Sequence, residues 1–189
     1  MPAWMRGPEA EQGRAIMVIL RATRKLRTIP RDRIDPDLES DTALGDWYVN
    51  RFVIDRRPLL LLVSSLSLLP IVVPARDVRS LPSRLAQLVA DRLTRLQVRS
   101  SLIQQEVDAM NPVVVARTTD RSVVGTMVDF ARMASYILPE WGWGDADLVA
   151  LDGNLGTSPC RVSRPAGKGF FPDQKASELL EERWRDSGD

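Results

Sequence analysis

The chain has 189 residues, 44% apolar and 27% charged, so it can build one ordinary hydrophobic core and is short for two. Its 26 Lys and Arg stand against 25 Asp and Glu, so net charge does not draw it to nucleic acid or an anionic membrane, and any such attraction must be local. A single cysteine, Cys160, excludes an intrachain disulfide, and the absence of histidine removes the usual zinc ligand sets; a reducing, cytoplasmic setting is expected, with no metal and no cofactor.

Residues 1–13 show no periodicity and carry Arg6, Glu9 and Glu11 where a signal peptide would place its apolar stretch. They read as a disordered or spurious tail ahead of a truer start at Met17, with a single domain expected over 15–160. Ile16 to Thr23 reads as a first strand buried at its start, and Pro30, Asp35 and Pro36 mark the loop after it. Asp46 to Ile54, rich in aromatic and β-branched residues and preceded by Gly45, reads as a second strand. Leu59 to Val63 and Leu66 to Val73 continue it as an antiparallel meander. Ser64, Ser65, Ser67 and Pro70 interrupt this longest apolar run, which falls short of the roughly 20 residues that span a bilayer, so no membrane partner is expected.

Ser80 to Ser100 predicts a helix, with Ser80 as cap, Pro82 in the first turn and Leu85, Val89, Leu93 and Leu96 along one side. Val113 to Ala116 predicts a short buried strand. A second helix follows, striped by Val123, Met127, Phe130, Ala134 and Ile137 and closed by Pro139. Gly125 lies inside it, and its small size is attributed to helix-on-sheet packing. Asp147 to Leu155 reads as a short helix weakened by Gly153, and 161–189 as a linker followed by a charged helix or tail. The predicted fold is α+β: a mainly antiparallel sheet of about five strands packed by two principal helices.

Three clusters stand out as candidate ligand sites. Where the buried strand runs into the second helix, Arg117, Thr118, Thr119, Asp120, Arg121 and Ser122 combine free backbone N–H groups, hydroxyls and positive charge, which suits a phosphate or carboxylate; Thr126 and Asp129 follow on the helix. The simpler alternative is a capped helix start. Asp46, Tyr48 and Asn50 would share one strand face and Trp47 the other, giving either a polar binding face beside an aromatic anchor or ordinary core packing. Arg84, Arg92, Arg95 and Arg99 on the first helix, with Arg24, Lys25 and Arg27 and onward to Arg31 and Arg33, could contact nucleic-acid phosphates or could be solvated faces.

Several segments together resemble a family of small uncharacterised bacterial proteins, a domain of unknown function. They are Arg21 to Leu26, Leu44 to Asn50 with Gly45-Asp46-Trp47-Tyr48, Ile54 to Arg57, and Thr118 to Phe130 with Arg121-Ser122-Val123-Val124-Gly125-Thr126-Met127-Val128-Asp129. A weaker likeness at Leu155 to Pro159 closes a span from Met17 to Pro159. The family commonly has Asn where this chain has Thr119, Asp120 and Val128, which counts against an amide-based site. The resemblance implies a place and no reaction.

The leading expectation is a non-catalytic binding or interaction module with a protein partner or a second copy of itself, such as a subunit of a toxin–antitoxin or phage-defence assembly. One alternative is a nucleic-acid-binding protein using the arginine-rich surfaces. The other is an enzyme on a phosphorylated or nucleotide substrate, with Asp46 or Asp129 as acid–base group.

Overall fold

The computed structural model describes residues 17–76, 78–161 and 169–185; the tail expected over 1–13 lies outside them, as does all but Gly169 of the linker at 164–169. Five strands, β1 (Val18–Ala22), β2 (Trp47–Ile54), β3 (Arg57–Ser64), β4 (Pro70–Pro74) and β5 (Val113–Arg117), form one sheet in the order β4-β3-β2-β1-β5. Among the described residues five α-helices accompany it: α1 (Leu81–Arg95), α2 (Ser100–Ala109), α3 (Arg121–Trp141), α4 (Asp145–Gly156) and α5 (Pro172–Trp184).

The α+β class is as expected, but the sheet is mixed. β2, β3 and β4 form the predicted antiparallel meander, and the β2–β3 turn is only Asp55 and Arg56, both at positive φ, as a two-residue hairpin demands. β1, however, runs parallel to both β2 and β5, with Leu20 opposite Trp47 and Val115. Parallel neighbours need long crossovers, and the 23–46 connection and the α1–α2 excursion supply them.

Alternation along the strands divides the core between two helical layers. Val18, Leu20, Trp47, Val49, Leu60 and Leu62 face α1 and α5, meeting Leu85, Val89, Leu93, Ala176 and Leu180. Tyr48, Leu59, Leu61 and Val63 face the opposite way, onto Val123, Met127, Phe130 and Ala134 of α3 and Leu148, Leu151 and Leu155 of α4. The α3 stripe is the predicted one except at its end, where Leu138 is buried and Ile137 only partly so; the helix continues through exposed Pro139 to Trp141, and Gly142 N–H still bonds to the Leu138 carbonyl at 3.0 Å. Gly125 is not a packing glycine: a Cβ added there would meet nothing within 4 Å.

α2 was not foreseen. Its buried face is Leu102, Glu106 and Ala109, so a carboxylate occupies the middle of what an apolar pattern would need to show. α2 packs chiefly on α1 and α5, and among the described residues five α-helices accompany the sheet, α1 and α3 being the two principal ones expected.

Both sheet edges are closed by carboxylates. Asp32 lies along β5, its N–H bonding to the Val115 carbonyl at 2.7 Å and its carboxylate accepting from Val115 N–H at 2.9 Å. On β4, buried Asp152 accepts from Val72 N–H at 2.6 Å and from Arg95 at 3.2 Å. Burial pushes the Asp152 carboxyl up to about 7, against the pull of Val72 N–H, Arg92 and Arg95. Between its ordinary 3.8 and about 7, the folded chain holds a proton that the unfolded chain has released, so stability falls as pH rises through that window. Asp152→Asn is expected to remove a decline on the order of 3 kcal/mol between pH 4 and 7. Denaturant midpoints of both proteins across that range check it, and parallel pH profiles would disprove it.

Candidate functional site

Arg21 is the residue around which this end of the sheet is organised. It alternates out of the α1-facing row of β1 and is only 2% exposed, so its guanidinium must be satisfied inside the protein. Its Nε pairs with the buried Asp46 carboxylate, and its terminal nitrogens donate to the Leu38 carbonyl at 2.7 Å, that of Arg117 at 3.2 Å and that of Pro36 at 3.5 Å. The other Asp46 oxygen accepts from Ser40 N–H at 2.9 Å and Ser40 Oγ at 2.6 Å, while Ser40 Oγ accepts from Ile19 N–H at 2.8 Å. Gly45, just before, is required twice over: its φ is +74°, and a Cβ would collide with the Ser65 Oγ that bonds Asp46 N–H. The connection from β1 to β2 is thereby stitched onto the ends of β1 and β5.

Three adjoining clefts open at this end of the sheet. One of about 450 Å³ is lined by Ala22, Arg24, Arg27, Arg31, Arg117 and Thr118, four arginines and no carboxylate. Arg31 is held in place by donating to the Ala22 carbonyl at 3.3 Å and the Thr23 carbonyl at 2.9 Å, and its buried Nε has no partner. A middle cleft of about 500 Å³ shares Arg27, Arg31 and Arg117 with the first and adds Arg21, Asp32, Arg33 and Thr119. The third, about 390 Å³, shares Arg21, Pro36 and Thr119 with the middle one and is walled by Asp37, Glu39, Asp46, Tyr48 and Asp120.

The predicted candidates fall in several places. Tyr48 is 2% exposed; its hydroxyl lies 3.1 Å from Thr119 Oγ1 and accepts from Asp120 N–H at 3.1 Å, tying β2 to the start of α3. Trp47 points the other way, into the α1 core. Asn50 accepts from Thr23 Oγ1 at 2.8 Å. Asp120 caps α3 through Ser122 N–H at 2.6 Å, and Thr126 Oγ1 bonds back to the Ser122 carbonyl at 3.2 Å. Arg121 is exposed, and Asp129 pairs with Arg132 at 3.7 Å on the outer face of α3.

Of the arginine-rich stretches, Arg24 and Arg27 enter the arginine cleft, with Lys25 exposed between them. Those of α1 do not join them. Arg92 is 3% exposed, paired with Asp173 and donating to the Asp152 carbonyl at 3.0 Å, while Arg95 bonds Asp152. Arg84 is exposed on α1, and Arg99, expected on the same helix, lies beyond its end at Arg95 as the residue that precedes α2; neither is among the residues lining the cleft.

Sequence reasoning missed three participants. Arg117 was placed with the α3 turn and not with Arg24 and Arg27, which only the parallel β1–β5 pairing brings beside it. Asp37 and Glu39 lie in a loop with no periodic signal, and nothing short of the Arg21 hydrogen bonds to the Pro36 and Leu38 carbonyls locates them. No helix of the described residues is long and apolar enough to cross a membrane.

A family model described as a domain of unknown function (DUF6933) matches residues 19–175, which takes in all three clefts. No curated protein matches the chain.

Proposed function

We propose that this chain, which belongs to the DUF6933 family, is a binding module for phosphate-bearing ligands, held in the cleft at the carboxyl ends of β1 and β5. The observation that carries the reading is that Arg24, Arg27, Arg31 and Arg117 line one cleft without a carboxylate on its wall. Among the described residues none of the four takes part in an ion pair. Like charges gathered in one concavity repel one another, and a bound anion relieves that repulsion. Guanidinium forks match phosphate oxygens in geometry, and Arg31, already fixed by two carbonyls, loses little freedom on binding.

Binding fits the site better than acid–base catalysis. Asp46 is engaged on both oxygens by Arg21 and Ser40, and Asp129 sits on the outer face of α3 beside Arg132.

Pyrophosphate is therefore expected to bind, more weakly as salt rises. Arg27→Ala and Arg117→Ala, both at exposed positions, should each lower its affinity roughly tenfold or more while leaving the denaturant midpoint unchanged. Titration calorimetry at two salt concentrations reads this directly. Binding that survives both substitutions, or that Arg121→Ala alone removes, places the anion elsewhere and refutes the reading.

A further inference from the structure

We infer that the ligand is a small phosphate ester carrying a vicinal diol, a ribonucleotide or a sugar phosphate, which reaches from the arginine cleft into its acidic neighbour. This rests on the arginine cleft binding phosphate. The three clefts adjoin, the middle one sharing Arg27, Arg31 and Arg117 with one neighbour and Arg21, Pro36 and Thr119 with the other. Their linings change sign along that path, from four arginines at one end to Asp37, Glu39 and Asp120 at the other. A ligand that fills both must carry its negative charge at one end and hydrogen-bond donors at the other.

The acidic end is built to accept. Among the described residues the Asp37 and Glu39 side chains are in no ion pair. An ionised carboxylate only accepts, and its two oxygens suit adjacent hydroxyls, as in the recognition of ribose by an acidic side chain. Thr119 stands at the junction with the middle cleft, where the ester oxygen of such a ligand would pass. A nucleic-acid strand is disfavoured along this path, since its next phosphates would face Asp37, Glu39 and Asp120.

The test is calorimetry of the full chain with pyrophosphate, adenosine 5′-diphosphate and its 2′-deoxy form, ribose 5-phosphate and its 2-deoxy form, and a short single-stranded oligonucleotide. The diol-bearing nucleotide is expected to bind roughly tenfold or more tightly than its deoxy form. The double variant Asp37→Asn, Glu39→Gln should equalise the pair without weakening pyrophosphate. A diol preference with ribose 5-phosphate as well supports the sugar phosphate as source; a preference confined to the nucleotide supports the ribonucleotide. If pyrophosphate binds but diol and deoxy forms bind alike, or if the oligonucleotide binds more tightly than the nucleotide, this inference fails and the arginine-cleft reading stands. If pyrophosphate does not bind, the arginine-cleft reading fails and takes this one with it.

Discussion

Arg21→Met is expected to destabilise the protein by roughly 3–5 kcal/mol, because it leaves the Asp46 carboxylate buried without its cation. The Met side chain fills much of the same volume, so the loss is electrostatic and not a cavity. Three carbonyls, those of Pro36, Leu38 and Arg117, lose their donor at the same time, which frees the loop that carries Asp37 and Glu39 from the end of β5. Ligand affinity should therefore fall along with the denaturant midpoint. The discriminating variant is Arg21→Met with Asp46→Leu, since removing both charges restores much of the stability that removing one destroys. The double variant still lacks the carbonyl contacts, so stability should recover further than binding does. A single variant as stable as the parent would mean that the pair does not hold the loop.

Local pattern made part of this legible and topology hid the rest. β2 could be read within Asp46 to Ile54 because aromatic and β-branched residues follow the turn at Gly45, and α3 because Val123, Met127, Phe130 and Ala134 recur at helical spacing after a capping Asp120. Those signals lie within a few residues of each other. The arginine cleft does not: Arg27 and Arg117 are adjacent only because β1 and β5 pair in parallel across the long β2–α2 excursion, and no spacing in the chain records that register. Arg92 illustrates a misleading pattern. Taken with Arg95 and Arg99 it looks like a solvated basic face, yet it falls one turn beyond Val89 on the buried side of α1, where its charge reaches Asp173. Exposed glycine can mislead in the same way, as Gly125 does by facing open space.

Glu106→Ala is expected to cost roughly 3–6 kcal/mol, the largest single-residue loss anticipated for α2, since three donors lose their common acceptor. Glu106 is fully buried; its carboxylate accepts from Ala43 N–H at 2.8 Å, Leu44 N–H at 3.0 Å and the Trp184 indole N–H at 3.0 Å. One side chain thus joins α2 to the segment before β2 and to the end of α5, and an unpaired buried N–H costs about 1–3 kcal/mol each. Glu106→Gln keeps one acceptor oxygen and places an NH₂ group against a donor, so its loss should be intermediate. The pH dependence runs the other way. Burial raises the Glu106 carboxyl above its ordinary value, outweighing the hydrogen bonds from Ala43, Leu44 and Trp184 and the nearby Arg183 charge. In the pH range just above 4.5 the folded chain retains a proton that the unfolded chain has lost, so the parent loses stability as pH rises there and the Gln variant does not. The gap between parent and Gln variant should accordingly be widest in acid and narrow toward neutrality, as urea midpoints at successive pH values would show. Hydrogen exchange adds the spatial part: α5 amides should lose protection together with those at 43 and 44 in Glu106→Ala, because the same carboxylate holds both. Protection lost in only one of the two segments would mean that apolar contacts alone dock the other.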